Sequence, residues 1–282
     1  MKKNNNINSL IIESHAKINI GLEILAQRDD GYHEIRSIFQ EINWGDQLIL
    51  EKISSGIEFK TNIPELNNFQ NLCYKAAQLM APLFPGGIRI QLNKKIPVGT
   101  GMGGGSSNAA AVIKGIDHLY KLNLTIDKKI DIAARLGSDV PFFIFGKTAH
   151  VAGRGEIITP VTIESLPKSV VIVLPGLCFS TSHMYKKAKN NLTSPEKSII
   201  ISATFAEALD RNKLNDLKND FEPIAFYEHP ELEVVKNALL RGGCEVAMMT
   251  GSGSAFYGLY DGSFEILPAL ESFKIVKTKL VK

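Results

Sequence analysis

Pro97-Val98-Gly99-Thr100-Gly101-Met102-Gly103-Gly104-Gly105-Ser106-Ser107-Asn108-Ala109-Ala110 is the stretch on which the reading of this chain turns. Five glycines fall in the seven positions 99–105. Upstream, Ile88, Ile90 and Leu92 alternate with polar residues as in a strand. Downstream, Ala109, Val112, Ile113, Ile116 and Tyr120 share one face of a helix expected over 106–120. Glycines without a Cβ let backbone N–H groups converge, and a helix N-terminus adds unsatisfied amides and the positive end of its dipole. A strand, such a loop and then a helix therefore make an anion cradle, with the hydroxyls of Ser106 and Ser107 placed for a phosphate oxygen or Mg²⁺.

Several readings of this loop compete. Gly99, Gly101 and Gly104 satisfy G-x-G-x-x-G, and Asp127, 23 residues on, stands near the place of a ribose-binding acid, which would suit a dinucleotide-binding oxidoreductase. That reading needs a strand ending at Asp127. The segment 127–136 instead reads as a helix, with Thr125 as its N-cap and Gly137 as its stop. No lysine precedes Ser106, so the loop is not a Walker A motif. A flexible loop without a ligand and a non-catalytic nucleotide-binding regulator are the blander alternatives.

Composition narrows the class. The 282 residues are 44% hydrophobic and 22% charged, with 23 glycines and 12 prolines, which suits a chain with a real core and excludes collagen-like or low-complexity sequence. No apolar run approaches the roughly 18 residues of a membrane span. The segment 1–9 is polar and Asn-rich, and Leu10-Ile11-Ile12 is too short for a signal sequence. Cys73, Cys178 and Cys244 are odd in number and far apart, which argues against disulfides and against C-x-x-C metal sites. His15, His118, His150, His183 and His229 are likewise scattered. A net charge of +3 gives no case for nucleic acid. A soluble, cytoplasmic protein is expected, with no membrane or nucleic-acid partner.

Away from the loop, strands are expected over 14–26, 33–43 and 47–53, broken at Asp29-Asp30-Gly31 and Trp44-Gly45-Asp46, followed by a helix over 71–83. Further strands are expected over 142–145 and 149–161, and the polar, proline-bounded 162–168 is the best domain boundary. The remainder reads as a strand over 170–174, a helix near 182–189, a mixed helical stretch and a helix over 232–240. Strands over 245–249 and 255–260, a helix over 264–273 and a last strand complete it. The order suggests an α+β chain without internal repeats.

The loop resembles the P-x-x-x-G-[LM]-G-G-G-S-S motif of the GHMP kinases. Ala16-Lys17-Ile18-Asn19, Arg28-Asp29-Asp30-Gly31-Tyr32-His33-Glu34, Gly137-Ser138-Asp139-Val140-Pro141-Phe142-Phe143 and Thr250-Gly251-Ser252-Gly253-Ser254 follow in that family's order and spacing. The resemblance covers about residues 13–260 and is densest in the first 160. It implies a two-domain α+β architecture. Residues 1–162 would form an ATP-binding half like the second domain of ribosomal protein S5, and 163–282 a ferredoxin-like half, with the active site in the cleft. It further implies ATP and Mg²⁺ as cofactors and a cytidylyl methylerythritol as the small-molecule substrate, phosphorylated at its 2-hydroxyl on the way to isoprenoid precursors. A monomer or weak homodimer is expected. Another small-molecule kinase of the family is the nearest alternative, and the Asp29–His33 segment counts against it.

The same resemblance assigns residues. Pro97 to Ser107 would hold the ATP phosphates, with Ser107 nearest Mg²⁺, and Asn71 would lie near adenine. Asp139 would take the proton of the acceptor hydroxyl, although Gly-Ser-Asp before Pro141 is also ordinary turn chemistry. Lys17 would lie beside that carboxylate and the acceptor; read alone, it fits an edge-strand lysine pointing to water better than a catalytic one. Asn19, on the same side of a strand, would help bind substrate. His33 would hydrogen-bond the cytosine edge, Tyr32 would cover it, and Tyr185, where the family has Phe, would stack on the opposite face. Thr181 matches a residue near the methylerythritol or the phosphates. Gly251 and Gly253 would close over the substrate phosphates or simply form a hairpin. Gly153-Arg154-Gly155-Glu156 fits the family pattern and reads as a structural turn.

Overall fold

Two long strands, β1 (Ser9–Gln27) and β2 (His33–Ile53), open the chain and are joined at the turn around Gly31. The computed structural model describes residues 8–188, 206, 207, 209 and 211–282. It divides into two compact units, one made of Met1–Ala16, Gly45–Pro97 and Gly103–Phe145, the other of Lys17–Trp44, Val98–Met102 and Gly146–Lys282.

In the first unit, β4 (Gly87–Asn93) pairs antiparallel with the end of β2, Leu50 opposite Ile90, and β3 (Gly56–Thr61) lies parallel on β4 with Phe59 opposite Ile90. The helices are α1 (Leu72–Met80), α2 (Gly104–Tyr120), α3 (Ile126–Ala134) and α4 (Val140–Phe145). Helix α2 buries Ala109 to Ile113, Ile116 and Leu119. A methyl on Gly115 would lie 2.1 Å from Leu50 and 2.6 Å from Ile12, so this glycine is what lets the helix settle on the sheet. Thr125 caps α3, accepting from the Lys128 N–H at 3.2 Å. Asp127 therefore stands in a helix's first turn, and the strand that a dinucleotide-binding unit needs there is absent.

Two expectations are corrected in this unit. Residues 142–145 are helical, not a strand: Val140 to Ile144 are all buried, and a short apolar run lacks the periodicity to separate the two states. Pro141 suits the first turn of a helix, where its missing N–H is not needed. Nor does β2 break at Trp44-Gly45-Asp46. Gly45 is there for close approach, since a Cβ would meet the Ser14 carbonyl oxygen at 2.2 Å. Asp46 is not a turn residue but a fully buried carboxylate. Its Oδ1 accepts from the N–H groups of Lys95 (2.6 Å) and Ile96 (2.8 Å), and its Oδ2 from Lys94 Nζ (2.6 Å) and Asn108 Nδ2 (2.9 Å).

The Asp46–Lys94 pair is almost wholly out of water, with side chains 0% and 6% exposed. Removing one partner of such a pair strands the other charge and two backbone donors. Asp46→Ala is expected to lower unfolding free energy by about 3–5 kcal/mol in a urea titration; a loss below about 1 kcal/mol would contradict this reading.

In the second unit, β5 (Thr148–Gly153) pairs antiparallel with β2, Ile38 opposite His150, and β6 (Ile157–Pro160) pairs with β5. The single strand expected over 149–161 is thus two, because a turn at 154–156, with left-handed Gly153 (φ 71°) before it and Gly155 (φ 116°) within it, reverses the chain. A second sheet has the order β10 (Lys274–Lys279), β7 (Ser169–Leu174), β9 (Phe256–Tyr260), β8 (Val246–Met249), with all neighbours antiparallel. Helices α5 (Thr181–Ala188), α6 (Glu222–Glu228) and α7 (Glu231–Arg241) accompany it. Val171, Val173, Phe221, Leu232, Val235 and Phe256 are among its core residues. The helix expected over 264–273 is only the short turn Pro268–Leu270, because Pro268 would deny an α-helix a central N–H. Lys189 of the helix expected near 182–189, and much of the mixed helical stretch, lie outside the described residues.

Candidate active site

Gly99, Gly101 and Gly103 all have left-handed backbones, with φ of 71°, 73° and 68°. A Cβ on Gly99 would lie 2.1 Å from Cys178 Sγ, and one on Gly101 2.0 Å from the Thr250 carbonyl oxygen. Thr100 and Met102 are buried, whereas Pro97 and Val98 are exposed. Helix α2 starts at Gly104, two residues before the expected Ser106, with Gly103 at its N-cap position and no side chain capping it. Its first-turn amides and dipole are thus not spent on a side-chain cap. Gly105 is exposed, and Ser106 is half-buried. Ser107 is buried, its hydroxyl 2.7 Å from that of Ser14. Ser14 in turn accepts from Asn108 Nδ2 at 2.9 Å, so the Asp46 cluster reaches the serine of the loop through Asn108.

Gly101 tests the loop's need for glycine. Gly101→Ala combines a left-handed backbone with a Cβ against main chain and is expected to destabilise by about 1–3 kcal/mol, read as a lower thermal midpoint. Gly105→Ala is the control, since its Cβ would meet only Leu72 at 3.7 Å; an unchanged midpoint in both variants would contradict the steric argument.

Lys17 and Asn19 lie on one side of β1, as their spacing requires, and both are buried. Lys17 does not point to water. Its Nζ donates to Asn19 Oδ1 at 2.5 Å and to the Gly101 carbonyl at 2.7 Å, and it lies 4.6 Å from the centroid of the Phe39 ring. The Lys17 N–H donates to the Met102 carbonyl at 3.0 Å. Asn19 Nδ2 donates to Ser37 Oγ at 2.9 Å, and the Asn19 main-chain carbonyl accepts from the Tyr257 hydroxyl at 2.9 Å. The buried ammonium is therefore tied to the middle of the glycine loop.

Asp139 is half-buried in the turn before α4, in which the Val140 N–H donates to the Gly137 carbonyl at 3.3 Å. Asn71 caps α1: Oδ1 accepts from the Cys73 N–H at 2.9 Å and Nδ2 donates to the Leu66 carbonyl at 3.0 Å.

A second group of predicted residues gathers in the Lys17–Trp44 and Gly146–Lys282 unit. The His33 ring is buried and stacked on Tyr185, with centroids 5.1 Å apart and planes 23° apart. Tyr185 also meets Phe221 edge-on at 4.9 Å. Tyr32 is 55% exposed, and the Arg154 guanidinium lies 4.9 Å from its ring. The turn at 153–156 thus lends a side chain to the Tyr32 surface. Thr181 Oγ1 lies 3.0 Å from Ser252 Oγ. Residues 250–255 connect β8 to β9, Met249 opposite Phe256, so the Thr-Gly-Ser-Gly segment is a hairpin connection. The same connection also touches the glycine loop, Ala255 N–H donating to the Thr100 carbonyl at 3.3 Å.

Sequence reading passed over Ser14, Ser37, Tyr257 and the side chain of Thr250, and gave Asp46 and Arg154 only to turns. Ser37 carried a signal, a hydroxyl between Ile35 and Phe39 on the apolar face of a strand. The others are tied in by partners far away in sequence.

Residues 71–147 match the family model of the GHMP kinases N terminal domain, and residues 201–273 that of the GHMP kinases C terminal domain. A 4-diphosphocytidyl-2-C-methyl-D-erythritol kinase of Solibacter usitatus is 39% identical over 266 residues, 91% of this chain and 83% of that one. The protein of that name from Thermus thermophilus is 36% identical over 92% of this chain and 90% of its own. A crystal structure of 4-(cytidine 5′-diphospho)-2C-methyl-D-erythritol kinase superposes with a TM-score of 0.78 at 32% identity, covering 96% of this chain and 99% of that one. A mevalonate kinase from Methanococcus jannaschii shares the fold, with a TM-score of 0.66 at 16% identity over 97% of this chain and 98% of its own. No helix among the described residues is long and apolar enough to cross a membrane.

Proposed function

Starting from a chain that belongs to the GHMP kinase family, we propose that it transfers the γ-phosphoryl group of ATP to the 2-hydroxyl of 4-(cytidine 5′-diphospho)-2-C-methyl-D-erythritol, the acceptor after which its relatives are named. The observation that carries this reading is the buried Lys17 ammonium held on the Gly101 carbonyl, which sets a fixed positive charge against the glycine loop. A charge kept out of water acts more strongly on developing negative charge than an exposed one.

Phosphoryl transfer asks the protein for placement and charge. Residues 97–107 hold the ATP phosphates, because left-handed glycines at 99, 101 and 103 shape the backbone that leads into α2, and because the uncapped start of that helix favours an anion. Asp139 accepts the proton of the 2-hydroxyl as its oxygen forms the new bond to phosphorus; the bond from the γ-phosphorus to the bridging oxygen breaks and ADP leaves. Lys17 favours the developing alkoxide, and Asn19 helps bind the acceptor and orients that ammonium. His33 hydrogen-bonds the cytosine edge, with Tyr32 and Tyr185 as its aromatic cover and Thr181 near the acceptor's diphosphate or polyol. Asn71, at the start of α1, lies near adenine.

Mg²⁺ takes few protein oxygens when phosphates and water supply the rest. The donors fit that mode: Ser107 offers one hydroxyl oriented by Ser14, and the described residues hold no group of three His, Cys, Asp or Glu that could form a protein cage. When bound, the ion supplies charge neutralisation on the phosphates. In this reading, residues 1–162 form the ATP-binding half, which also brings Asn19, Tyr32 and His33 to the acceptor, and 163–282 the C-terminal half, which adds Thr181 and Tyr185, in a cytoplasmic monomer or weak homodimer without membrane or nucleic-acid partners.

The test is ³¹P NMR of the purified protein with ATP, Mg²⁺ and the cytidylyl acceptor. A phosphomonoester resonance on the acceptor, growing in step with ADP, is the expected result. ADP formed only with mevalonate or homoserine as acceptor would keep the kinase and overturn the substrate. ATP binding without turnover of any acceptor would favour a nucleotide-binding regulator.

A further inference from the structure

We infer that Thr250, held in place by Asn219, is a positioning residue for Lys17; the inference rests on the catalytic role proposed for that lysine. Two oxygens that accept from the Lys17 ammonium, Asn19 Oδ1 and the Gly101 carbonyl, also lie within reach of the Thr250 hydroxyl, at 3.2 and 3.4 Å. The same hydroxyl oxygen accepts from the Asn19 N–H at 3.2 Å. Thr250 is fully buried, so its single proton goes to one of these two oxygens and braces the pair that aims the ammonium.

Thr250 is itself fixed from both sides. The carbonyls that flank it, of Met249 and Gly251, accept from one nitrogen, Asn219 Nδ2, at 2.7 and 2.8 Å. Both N–H bonds of that amide are used. Its oxygen accepts from the Phe221 N–H at 2.9 Å, so a reversed amide would set oxygen against two carbonyls and nitrogen against a donor. Asn219 is 1% exposed, and its neighbours are bound to the strand that carries Lys17. The Leu22 N–H donates to the Lys218 carbonyl at 2.8 Å, the Asp220 N–H to the Leu22 carbonyl at 3.0 Å, and the Ile24 N–H to Asp220 Oδ2 at 2.8 Å. Hydrogen bonds thus run from β1 through residues 218–220 and 249–251 back to Lys17. Their effect is to restrict where one ammonium can stand.

Thr250→Val keeps the shape and deletes the hydroxyl, whereas Thr250→Ser keeps the hydroxyl. In steady-state assays Thr250→Val is expected to lower kcat about tenfold to a hundredfold, with the KM for ATP and for the acceptor unchanged within about threefold and Thr250→Ser restored to within about threefold of wild type. On a Lys17→Met background Thr250→Val should add no further loss, because its effect passes through the lysine. Asn219→Asp, of the same shape, should lower kcat in the same way and covers the case in which Thr250→Val folds poorly. Wild-type kcat in Thr250→Val, an equal loss in Thr250→Ser, or full multiplication of the two losses in the double variant would each overturn the inference. A Lys17→Met protein as active as wild type would instead remove the role of Lys17 on which the inference rests.

Discussion

Asp139→Asn is expected to lower kcat by about 10²- to 10⁴-fold while leaving the thermal midpoint and the KM for ATP close to wild type. The residue has two possible uses, and this variant separates them. As a turn former, Asp139 stands between Gly137 and the start of α4, a place where Asn is as well suited, so a purely structural residue would tolerate the change. As a proton acceptor it cannot be replaced by Asn, whose amide has no basic oxygen at neutral pH. Single-turnover rates in the variant measure the transfer step itself. A rate near wild type would confine Asp139 to the turn and leave the rate to placement of the reactants by the loop and Lys17.

Lys17→Met is the second large effect, a fall in kcat of about 10²- to 10³-fold with a smaller change in KM. Methionine fills much of the same volume and packs on Phe39 without the charge. It leaves the Gly101 carbonyl and Asn19 Oδ1 to share the single proton of the Thr250 hydroxyl, at a cost of about 1–3 kcal/mol, while removing the desolvation of a buried ammonium. These contributions oppose each other, so stability should change less than rate. Lys17→Arg is not a mild substitute, because the larger planar guanidinium spreads its charge and fixes its donors in a fork, whereas the buried site holds a compact ammonium. A large stability loss with kcat preserved would make Lys17 a structural cation.

What the sequence shows and what it hides follow from the range of the forces involved. The strand before the loop, the loop and helix α2 were legible because glycine content and a periodicity of 3.6 are local properties, as was the Thr125 cap of α3. Lys17 and Asn19 were legible as a pair because two residues apart on a strand means one face. The run 142–145 was misread because four apolar residues fit a buried strand or a buried helix equally well. Gly45-Asp46 was misread because glycine and aspartate in a turn look the same as a glycine that admits a neighbouring strand beside a buried, paired carboxylate. Strand β3 was not expected at all; its alternation over six residues is weak, and its pairing with β4 decides it. The roles of Thr250 and Asn219 had no local signature. Asn19 and Thr250 are 231 positions apart, and only the folded chain brings them together.

The most direct test of the account is the ratio of kcat/KM values for competing acceptors at saturating ATP, measured with the wild-type protein. The cytidylyl methylerythritol should exceed mevalonate, homoserine and the methylerythritol phosphate without its cytidine by at least about 10³-fold, since a site with polar groups built for the base leaves them unpaired with acceptors that lack it. Equal or higher kcat/KM for an acceptor without cytidine would contradict the assignment of His33, Tyr32 and Tyr185 to a nucleobase and the substrate with it.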